Sequence, residues 1–595
     1  QAQIVSDGQR MVITTPSDRL IIHYQGFSIG EGNTVEFVQP GSSAVALNRV
    51  VGGTPSSLMG VLTANGNIIL INPNGIVIGP NAQVNVNSFL ASTLDVRDED
   101  FIAGRPLTLS ARDSQDAKRI VNRGKINVAV GGEIHLMAGE VINEGTLNAP
   151  EGFVGLVAGH QVVMREAFGQ RQIAVPVQEQ ADGSLKSMND KITVKNGQIT
   201  FKGQSLYEAV SVPKPQYKLD TVDGKLVATQ VGGQGSVVNR GKISTDGGIS
   251  SRLSVDSADV QKPVPPVGPA IVQFVGGAVI NDTTGEVRAK GAAGAKVDMS
   301  STELTVNRGK ISADGGISPR LSVDSADVRK PTAHSFSSID LLSGGMTLLE
   351  KSSVIKAGTG GQIEMSAKSK VELGGVLSAP GGRILLDPDR IEIIPVAGTN
   401  TNVTYLTPTD ISLLSAADAF ATVLADQTML ISKTINTRSM SFIASNQMDV
   451  VGSTFVIDDL LAEKTFLESA QLIVTNSLFT GLAQLTGSNI TIQSSVFRST
   501  QEMSIVTNSH FLGDTNTFAQ SNILRAVNDL YFADGSFFSG VITAGGELLI
   551  SNSVTKHSLN IQGSNVTLLD SHFLGDTNTF AQSNILRAVN DLYFA

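Results

Sequence analysis

The stretch that decides the fold is Asn65–Val86, which reads NGNIILINPNGIVIGPNAQVNV. It contains three short runs of apolar, β-branched residues, Ile68–Ile71, Ile76–Ile78 and Val84–Val86, each bounded by Gly, Pro or Asn, as strands typically are. Between the first two runs, Asn72-Pro73-Asn74-Gly75 has the residue order of a type I turn. Because no two-residue hairpin turn separates the runs, the stretch is predicted to bend repeatedly in one sense, as one coil of a solenoid.

The composition extends this prediction to the whole chain. One coil cannot bury its apolar side alone, so further coils must stack on it. The chain has 595 residues, with 60 Gly, only 5% aromatic residues and no Trp. This mixture suits thin cores of Val, Ile, Leu and Ala and corners of Gly and Asn. We therefore predict an elongated all-β solenoid rather than about four compact domains.

Charge and cysteine content exclude several classes of protein. The net charge of −10 is spread over the chain, which argues against a nucleic-acid partner. The absence of cysteine removes disulfides, thiolate catalysis and cysteine-ligated metals. No apolar run reaches the ~18 residues that a membrane-spanning helix needs. The chain begins at Gln1 rather than Met, as a protein does after signal-peptide removal, which favours export.

The N-terminal segments occur in an order that is specific to one family. They are Phe27–Gly30 (FSIG), Val35–Pro40 (VEFVQP), Leu47–Val50 (LNRV), Asn72–Ile76 (NPNGI) and Ala91–Leu94 (ASTL). With these segments, residues 3 to 160 resemble the secretion domain of two-partner secretion exoproteins, the filamentous haemagglutinin family. Tyr24 stands where relatives usually carry Trp.

The resemblance implies a fold, a location and a partner. The fold is a right-handed parallel β-helix with an N-terminal cap. The protein would be secreted to the extracellular space or cell surface of a Gram-negative bacterium. Its partner would be an outer-membrane β-barrel transporter with periplasmic recognition domains. The matching motif residues are Asn48, Arg49, Asn72, Pro73, Asn74, Gly75 and Ile76. They are expected to act either through folding, as a good turn, or by touching the transporter.

Beyond residue 100, two short sequence motifs, called phrases below, recur about once per coil. The first, Val121–Ile126 (VNRGKI), recurs in altered form at Val141–Leu147, and later at Val238–Ile243 and Val306–Ile311. A Gly-Gly phrase precedes apolar alternation at Ile134, Val154, Ile363 and Ile384. The spacing from Asn122 to Asn143 is 21 residues and that from Ile134 to Val154 is 20. We expect each phrase to be one coil, with alternate residues pointing inward.

These patterns divide the chain into five segments. Residues 1–160 form the secretion β-helix, and 161–235 form an extra-helical β excursion with a hairpin at Asn196-Gly197. Residues 236–395 form a shaft in which 238–263 and 306–331 match at 23 of 26 positions. Residues 396–432 form a connector with one short helix over 409–426, for which Asp410 is the candidate cap. Residues 433–595 form a repeat array.

The array is marked by a Ser-x-Phe phrase that predicts an interior ladder of Phe side chains. Its members are Ser453/Phe455, Ser477/Phe479, Ser495/Phe497, Ser509/Phe511, Ser536/Phe538 and Ser571/Phe573, with Ser553/Thr555 in the same register. Residues Ser509–Ala533 recur without change at Ser571–Ala595. We expect the chain to be part of a longer array.

An enzyme is the alternative to a surface protein, because parallel β-helices also host polysaccharide lyases and hydrolases. Such sites need grouped carboxylates, often with Ca²⁺. The candidates are Asp387 and Asp389 and the duplicated Asp256, Asp259, Asp324 and Asp327. An active site has no reason to occur in two copies, and the seven histidines show no metal-binding spacing. We predict no catalytic residues, no cofactor and no metal.

Three classes of function follow. The first is a secreted adhesin or fibre-forming protein with a host-cell, glycan or matrix ligand, and with self-association through repeats. The second is the shaft of a contact-dependent toxin or cytolysin. The third is a polysaccharide-degrading enzyme.

Overall fold

A computed structural model describes most of the chain. It covers residues 2–112, 118–164, 192–201, 206–246, 269–315, 337–398, 400–573 and 585–594. Within 400–573 there are short gaps at 418, 433, 438–439, 458–463, 481, 494, 499–502, 512–515, 527–529, 534, 545, 552 and 556–558. The described residues form two compact units, one within 2–382 and the other within 383–594. No helix in these ranges is long and apolar enough to cross a membrane. The division into five segments stays a prediction.

The first unit begins with a run of short strands and one helix. Their bounds are β1 Gln3–Ser6, β2 Arg10–Thr14, β3 Arg19–Tyr24, β4 Thr34–Val38, β5 Val45–Val50, β6 Ser56–Leu58, β7 Val61–Ala64, β8 Asn67–Ile71, β9 Ile76–Ile78, β10 Gln83–Val86, β11 Ser88–Ser92, α1 Asp98–Ala103, β12 Thr108–Ser110, β13 Arg119–Asn122, β14 Lys125–Val128, β15 Glu133–Ala138, β16 Glu140–Asn143, β17 Thr146–Asn148, β18 Phe153–Ala158 and β19 Gln161–Met164.

The unit continues through an excursion and then further coils. Their bounds are β20 Ile192–Lys195, β21 Gln198–Phe201, β22 Tyr207–Ser211, β23 Gln216–Val222, β24 Lys225–Gly232, β25 Ser236–Asn239, β26 Lys242–Ser244, β27 Ala270–Asn281, β28 Glu286–Gly291, β29 Ala295–Asn307, β30 Lys310–Gly315, β31 Ser337–Ser343, β32 Met346–Leu349, β33 Val354–Ala357, β34 Gln362–Ala367, β35 Lys370–Glu372 and β36 Val376–Ser378.

The strands of the opening stretch lie where the sequence predicts them. Strand β8 pairs in parallel with β5 and β11, so that Ile69 lies between Leu47 and Leu90, and all three are fully buried. Strands β9 and β10 likewise pair in parallel with strands of neighbouring coils. Because each strand pairs with its counterpart one coil away, and not with the next strand in the chain, the fold is a parallel β-helix. The predicted fold class is confirmed.

A hairpin closes the N-terminal end and forms the cap that the resemblance implies. Strand β1 pairs with β2 in antiparallel orientation, with Ile4 opposite Ile13, and β2 then pairs in parallel with β4. Asp7 accepts a hydrogen bond from the backbone N–H of Arg10 at 3.0 Å, which fixes the turn. The cap therefore changes the strand direction once, and all later pairings of this sheet, through β36, are parallel.

The recurring phrase sets the register of the coils. Asn122 pairs with Asn143, and Ile134 pairs with Val154, as the spacings of 21 and 20 residues predict. A steric restriction explains why the recurring phrase contains a glycine. A Cβ on Gly145 would lie 2.2 Å from the carbonyl oxygen of Gly124 in the coil before it. Adjacent coils approach too closely at this corner for any side chain.

Two extra-helical sheets come from the excursion. One has five strands in the order β12-β19-β22-β21-β20, all antiparallel, and includes the predicted hairpin, whose turn residues Asn196 and Gly197 both have positive φ. The other is the antiparallel hairpin β23–β24, which the sequence analysis did not identify. Helix α1 was not predicted either.

The second unit is also built from parallel coils. Its bounds are β37 Arg383–Pro388, β38 Arg390–Ile393, β39 Thr404–Leu406, α2 Pro408–Ser415, β40 Phe420–Ala425, β41 Thr428–Ile431, β42 Thr434–Thr437, β43 Met440–Val451, β44 Thr454–Ile457, β45 Lys464–Thr475, β46 Leu478–Thr480, β47 Leu482–Gln493, β48 Val496–Arg498, β49 Met503–Phe511, β50 Asn516–Ala526, β51 Leu530–Ala533, β52 Gly535–Ala544, β53 Glu547–Ser551, β54 Val554–Thr555, β55 Leu559–Leu569, β56 His572–Phe573 and β57 Ile585–Phe594.

The helix predicted over 409–426 is wrong in its second half. Helix α2 ends at Ser415, and Phe420–Ala425 form strand β40. Asp410 is not the cap: Thr407 occupies the N-cap position, and Asp410, three residues on, accepts hydrogen bonds from the Thr407 N–H and hydroxyl at 2.9 and 2.8 Å. The apolar run satisfies a strand equally well, and pairing of β40 with β43 selects the strand.

The predicted Phe ladder has two wrong members. In the strand register Phe455, Phe479 and Phe497 follow one another, but the next positions belong to Phe518 and Phe537, then Thr555 and Phe573. Phe511 pairs instead with Ile492, in the neighbouring column of stacked residues. The ladder position predicted for Phe538 is occupied by Phe537. The spacings in the true register, 24, 21 and otherwise 18 or 19 residues, are steadier than those of the Ser-x-Phe phrase.

Candidate functional site

The predicted motif corner centres on Asn72, whose side chain is fully buried. Its Nδ2 donates hydrogen bonds to the carbonyl oxygen of Thr54 at 3.0 Å and to Ser56 Oγ at 2.9 Å. Its Oδ1 accepts hydrogen bonds from the backbone N–H and the Nδ2 of Asn74, at 3.0 and 2.9 Å. A buried amide with both ends bonded fixes the conformation of the corner and its position against the preceding coil.

The turn itself has the predicted geometry. The N–H of Gly75 donates to the carbonyl oxygen of Asn72 at 3.1 Å, and Gly75 has φ +113°, which a residue with a Cβ rarely adopts. A Cβ there would also lie 3.3 Å from the carbonyl oxygen of Arg119 in the next coil. Pro73 occupies the second turn position, and Ile76 begins β9 fully buried. The motif thus joins two coils through backbone contacts.

The Asn48 side chain is the second buried amide of the motif. Its Nδ2 lies 3.2 Å from the carbonyl oxygen of Ala46 and 3.3 Å from that of Ile69 in the next coil. Its Oδ1 accepts a hydrogen bond from the Tyr24 hydroxyl at 3.0 Å. Burial raises the pKa of Tyr24 well above its ordinary value, so the hydroxyl stays a donor. Tyr24 therefore ties three coils together through Asn48.

Arg49 links the coils to helix α1. The guanidinium is 8% exposed, donates to Asp95 Oδ1 at 2.8 Å and to the Val96 carbonyl at 2.7 Å, and forms an ion pair with Asp98 in the first turn of α1. Burial alone would lower the pKa of Arg49, but the two carboxylates outweigh it and raise that pKa. The role of Arg49 is to hold α1 against the coils.

The structure brings the two halves of the motif next to each other without direct contact. Arg49 pairs in register with Ile71, the residue before Asn72. The hydrogen bonds described for Asn72 and Asn74 lead to Thr54, Ser56 and Gly52, whereas those of Arg49 lead to Asp95, Val96 and Asp98. The motif residues therefore act as two braces of one set of coils.

An interior chain of asparagines, not predicted from the sequence, runs through the coils. Each amide Nδ2 donates to the Oδ1 of the next residue at 2.8 Å, and all five side chains are fully buried. Its members are Asn122, Asn143, Asn239, Asn281 and Asn307. We call this chain the asparagine ladder. Four members belong to the recurring phrase, and Asn281 could have been found from the similar text Val279–Val287 (VINDTTGEV).

A column of alternating charges runs beside the asparagine ladder. Arginines and carboxylates follow one another at contact distances of 2.8 to 3.5 Å. Its members are Arg123, Glu144, Arg240, Asp282, Arg308 and Glu350. We call this set the charge column. Identical repeats would place like charges in adjacent coils, at the strand spacing of about 4.8 Å. The alternation of sign in the charge column avoids this repulsion.

The carboxylates considered for catalysis do not form a site in the described residues. Asp387 is fully buried, and Asp389 accepts a hydrogen bond from Gln427 Nε2 at 3.2 Å. Asp256, Asp259, Asp324 and Asp327 lie outside the described residues. Over the ranges that the structure covers, no group of three or more His, Asp or Glu side chains could hold a metal ion.

Lys296 lies in a largely buried ion cluster with two carboxylates. Lys296 Nζ lies 3.2 Å from both Asp298 Oδ2 and Asp340 Oδ2, and Ser300 Oγ donates to Asp298 Oδ1 at 2.6 Å. Burial would lower the pKa of Lys296, but the two carboxylates raise it above its ordinary value. The ammonium is neutralised in place, so the cluster provides no free acid or base.

A capped parallel β-helix with a braced N-terminal corner is a solenoid protein, and comparison with known proteins identifies the family to which its N-terminal part belongs. Residues 1–237 match the family model of the TPS (two-partner secretion) secretion domain. The chain is 31% identical over 216 residues to the heme/hemopexin-binding protein of Haemophilus influenzae strain Rd, and 46% identical over 87 residues to the same-named protein of that species.

The matches cover only parts of the relatives. The aligned regions are 35% and 15% of this chain and 23% and 9% of those proteins, so the chain spans less than a quarter of their length. Among solved structures, the HMW1 secretion domain of Haemophilus influenzae aligns over 100% of this chain and 97% of its own, with a TM-score of 0.32 and 16% identity.

Residues 1–237 are a TPS secretion domain, the kind of domain that two-partner secretion exoproteins carry. The resemblance inferred from the motifs is confirmed, and the matching region extends past residue 160 into the excursion. Proteins of this kind are secreted to the extracellular space or cell surface of Gram-negative bacteria, as predicted.

Proposed function

We propose that this exoprotein is exported by a dedicated outer-membrane β-barrel transporter, whose periplasmic domains recognise the secretion domain, and that its coils then act at the cell surface as an adhesin or a fibre. The observation that carries the proposal is the family match over residues 1–237 on a capped stack of coils. The transporter follows from the class of domain, and the surface role follows from the solenoid architecture.

We propose further that the motif serves secretion through folding. The described bonds of Asn72 and Asn48 are all made within the chain, and both side chains are fully buried. Pro73 and Asn74 are half-buried, so they offer a transporter only part of their surface. The alternative is that those two residues touch the transporter directly.

A secretion assay separates the two readings. The chain is fused to a signal peptide and produced with a two-partner transporter in a Gram-negative host, and the secreted fraction is measured for Asn72→Ala, Asn74→Ala and the control Asn127→Ala. We expect loss of transporter-dependent secretion for Asn72→Ala, together with lower stability of the purified variant. A variant that loses secretion but keeps the stability of the wild type would establish direct recognition of the motif by the transporter. Secretion that does not depend on the transporter would refute the whole proposal.

The adhesin or fibre role needs its own test. Parallel coils leave strand edges at the ends of a stack, and such edges pair readily unless covered. We expect negative-stain microscopy to show rods or filaments, and light scattering to show a mass that increases with concentration. Compact particles of one constant mass would contradict fibre formation and leave adhesion to a host-cell, glycan or matrix ligand as the surface role.

Heme or hemopexin binding is the second candidate, because both curated relatives carry that name. An absorbance titration with hemin and a pull-down with hemopexin test it directly. A toxin or cytolysin shaft is a third candidate, which cell-killing assays with the full-length gene product would reveal.

We propose that the chain is not an enzyme. The relatives are named for binding, and of the two described candidate carboxylates Asp387 is buried and Asp389 accepts a hydrogen bond from Gln427. A reducing-sugar assay on acidic polysaccharides, with and without Ca²⁺, should show no product above a heat-treated control. Reproducible product formation would overturn this proposal without affecting the assignment of the secretion domain.

A further inference from the structure

The hairpin β23–β24 lies across the outside of the coils. Its two-residue turn, Asp223-Gly224, has positive φ at both positions, +52° and +77°, as a tight hairpin turn requires. At its base, the N–H of Gly233 donates to Glu140 Oε1 on β16 at 2.8 Å. The hairpin starts, therefore, at a coil of the secretion domain.

The tip of the hairpin is anchored five coils further on. Lys225 Nζ donates to the carbonyl oxygen of Leu373 at 2.5 Å and lies 3.5 Å from Glu372 Oε1. The N–H of Leu226 lies 3.4 Å from Glu372 Oε2. Glu372 is only 4% exposed and also pairs with Lys370. A buried carboxylate at this place is thus neutralised partly by the hairpin.

Polar contacts also hold the middle of the hairpin. The N–H of Ala228 donates to Glu350 Oε1 at 3.1 Å, and the Arg308 guanidinium donates to the Ala228 carbonyl oxygen. Arg308 Nε in turn donates to Glu350 Oε2 at 2.9 Å. The end of the charge column therefore binds the edge of strand β24.

An apolar interface lies between hairpin and coils. Its buried centre consists of one hairpin residue and six from the coils: Ala228, Val238, Ala278, Ile280, Leu304, Val306 and Leu348. Tyr217, Leu219, Leu226 and Val231 of the hairpin pack around it. Every coil contributor follows residue 237, where the family match ends.

The length of the hairpin fits this span. The outer strands from Glu140 to Glu372 pair consecutively as β16, β25, β27, β29, β32 and β35. Five spacings of ~4.8 Å amount to about 24 Å, and the seven steps from Lys225 to Gly232 at ~3.3 Å per residue amount to about 23 Å. The hairpin thus runs along the stacking direction and touches each coil on its way.

We propose that β23–β24 is a clasp that joins the secretion domain to the five coils after it, and that the clasp closes only when the chain as far as Leu373 has folded. Until the coil of Leu348 has folded, the apolar surface on which the hairpin packs is incomplete, and until the chain reaches Leu373 the ammonium of Lys225 lacks its carbonyl partner. The folding unit of the secretion domain consequently extends well beyond residue 237. This inference holds whatever ligand the protein binds.

Pulse-labelled hydrogen exchange during refolding of the full chain tests the order of events. We expect the amides of β23 and β24 to become protected together with those of β32 and β35, and after those of β5 and β8. Protection of the hairpin together with β5 and β8, before β32 forms, would overturn the proposal.

A pair of matched variants tests the coupling in the native protein. Leu226→Asp places a carboxylate in the apolar interface, whereas Val222→Asp changes a residue of the same hairpin that is 52% exposed. We expect Leu226→Asp to speed native-state exchange of both the hairpin and strands β32 and β35 by about tenfold or more, and Val222→Asp to leave it unchanged. Equal exchange in the two variants would refute the clasp.

A milder pair keeps the test decisive if Leu226→Asp does not fold. Lys225→Met removes the ammonium beside Glu372, and Lys218→Met removes an exposed ammonium from the same hairpin. We expect faster exchange at the hairpin tip and at β35 for Lys225→Met only. Unchanged exchange there would show that the tip does not bind the coils.

Discussion

In both units, buried polar side chains at the corners bond one coil to the next, but the two units use different side chains. In the first unit, five buried asparagines bond to one another through side-chain amides. In the second unit, serine hydroxyls take over: Ser453 N–H donates to Ser477 Oγ and Ser477 N–H donates to Ser495 Oγ, both at 3.2 Å. Phe479 stacks on Phe455 in that unit at 4.6 Å.

The difference shows how far each coil depends on its neighbours. An asparagine amide donates to one coil and accepts from another, so one substitution leaves two buried groups without partners. The Ser477 hydroxyl accepts the backbone N–H of Ser453 from one coil and donates at 2.8 Å to the Thr475 carbonyl within its own. The asparagine ladder should therefore be more cooperative than the serine corner.

The most damaging change should be Asn239→Leu in the middle of the asparagine ladder. It leaves the Nδ2 of Asn143 and the Oδ1 of Asn281 buried without their partner, at a cost of about 4 kcal/mol. Native-state hydrogen exchange of β25 and β27 measures this loss. Asn127→Leu, whose half-buried side chain also bonds to an asparagine, is the control and should cost less than about 1 kcal/mol. Equal costs would break the comparison.

Phe479→Leu should have the next largest effect. The substitution removes a ring that stacks on Phe455 with an angle of 4° between the planes, and we expect a loss of about 2 kcal/mol. Exchange of β44 and β46 is the measurement. Phe466→Leu, at a half-buried ring 6.2 Å from Phe420, should cost less than half as much. A larger effect at Phe466 would place the core of this unit elsewhere.

Ser477→Ala should cost less than the asparagine substitution. The buried Ser453 N–H loses its acceptor on Ser477, which amounts to about 1.5 kcal/mol. The half-buried hydroxyl removed by Thr480→Ala, which donates to the Phe455 carbonyl, provides the control. Exchange of β44 and β46 should become faster in the order wild type, then Thr480→Ala, then Ser477→Ala. A loss at Ser477 as large as that at Asn239 would remove the proposed difference in cooperativity.

The smallest effect should come from the charge column, and it should depend on pH. Burial would raise the pKa of Asp282, but the Thr283 N–H and the guanidinium groups of Arg240 and Arg308 lower it below its ordinary value. A lowered carboxyl pKa adds stability above pH ~4, and this stability is lost as the pH falls through the lowered pKa. Asp282→Asn should therefore reduce stability at pH 7 by about 1 kcal/mol or less.

The control for Asp282→Asn is the same measurement at acid pH. Below the lowered pKa, wild type and variant should have the same stability, because the wild-type carboxyl is then protonated. Thermal unfolding of both proteins from pH 7 downward measures the gap, which should narrow as the pH falls. A gap that does not narrow would mean that Asp282 acts through packing and not through charge.

Local patterns predicted much of the fold. Ile68–Ile71 and Ile76–Ile78 are strands because β-branched runs between turn residues leave few other conformations, and the phrase around Asn122 and Asn143 gave the register by its spacing. The Asp223-Gly224 turn carried a hairpin signal as clear as that of Asn196-Gly197, so the clasp hairpin could have been found from the sequence.

Other features depend on contacts that one sequence does not show. Arg49 meets Asp95, 46 residues away, only because coils stack. The run Phe420–Ala425 fits a helix and a strand equally well, and its partner strand decides. Phe511 has the same local phrase as Phe497, yet it pairs in another column because turn lengths differ along the chain.

The asparagine ladder stays unbroken although the number of residues between its members ranges from 21 to 96. Long segments can therefore leave the helix at one corner and return without changing the coil above. A foreign peptide inserted at the exposed Asn196-Gly197 turn of the excursion should accordingly be displayed outside the coils at little cost in stability. The protein thus offers a natural scaffold for presenting antigens or binding loops on a secreted support.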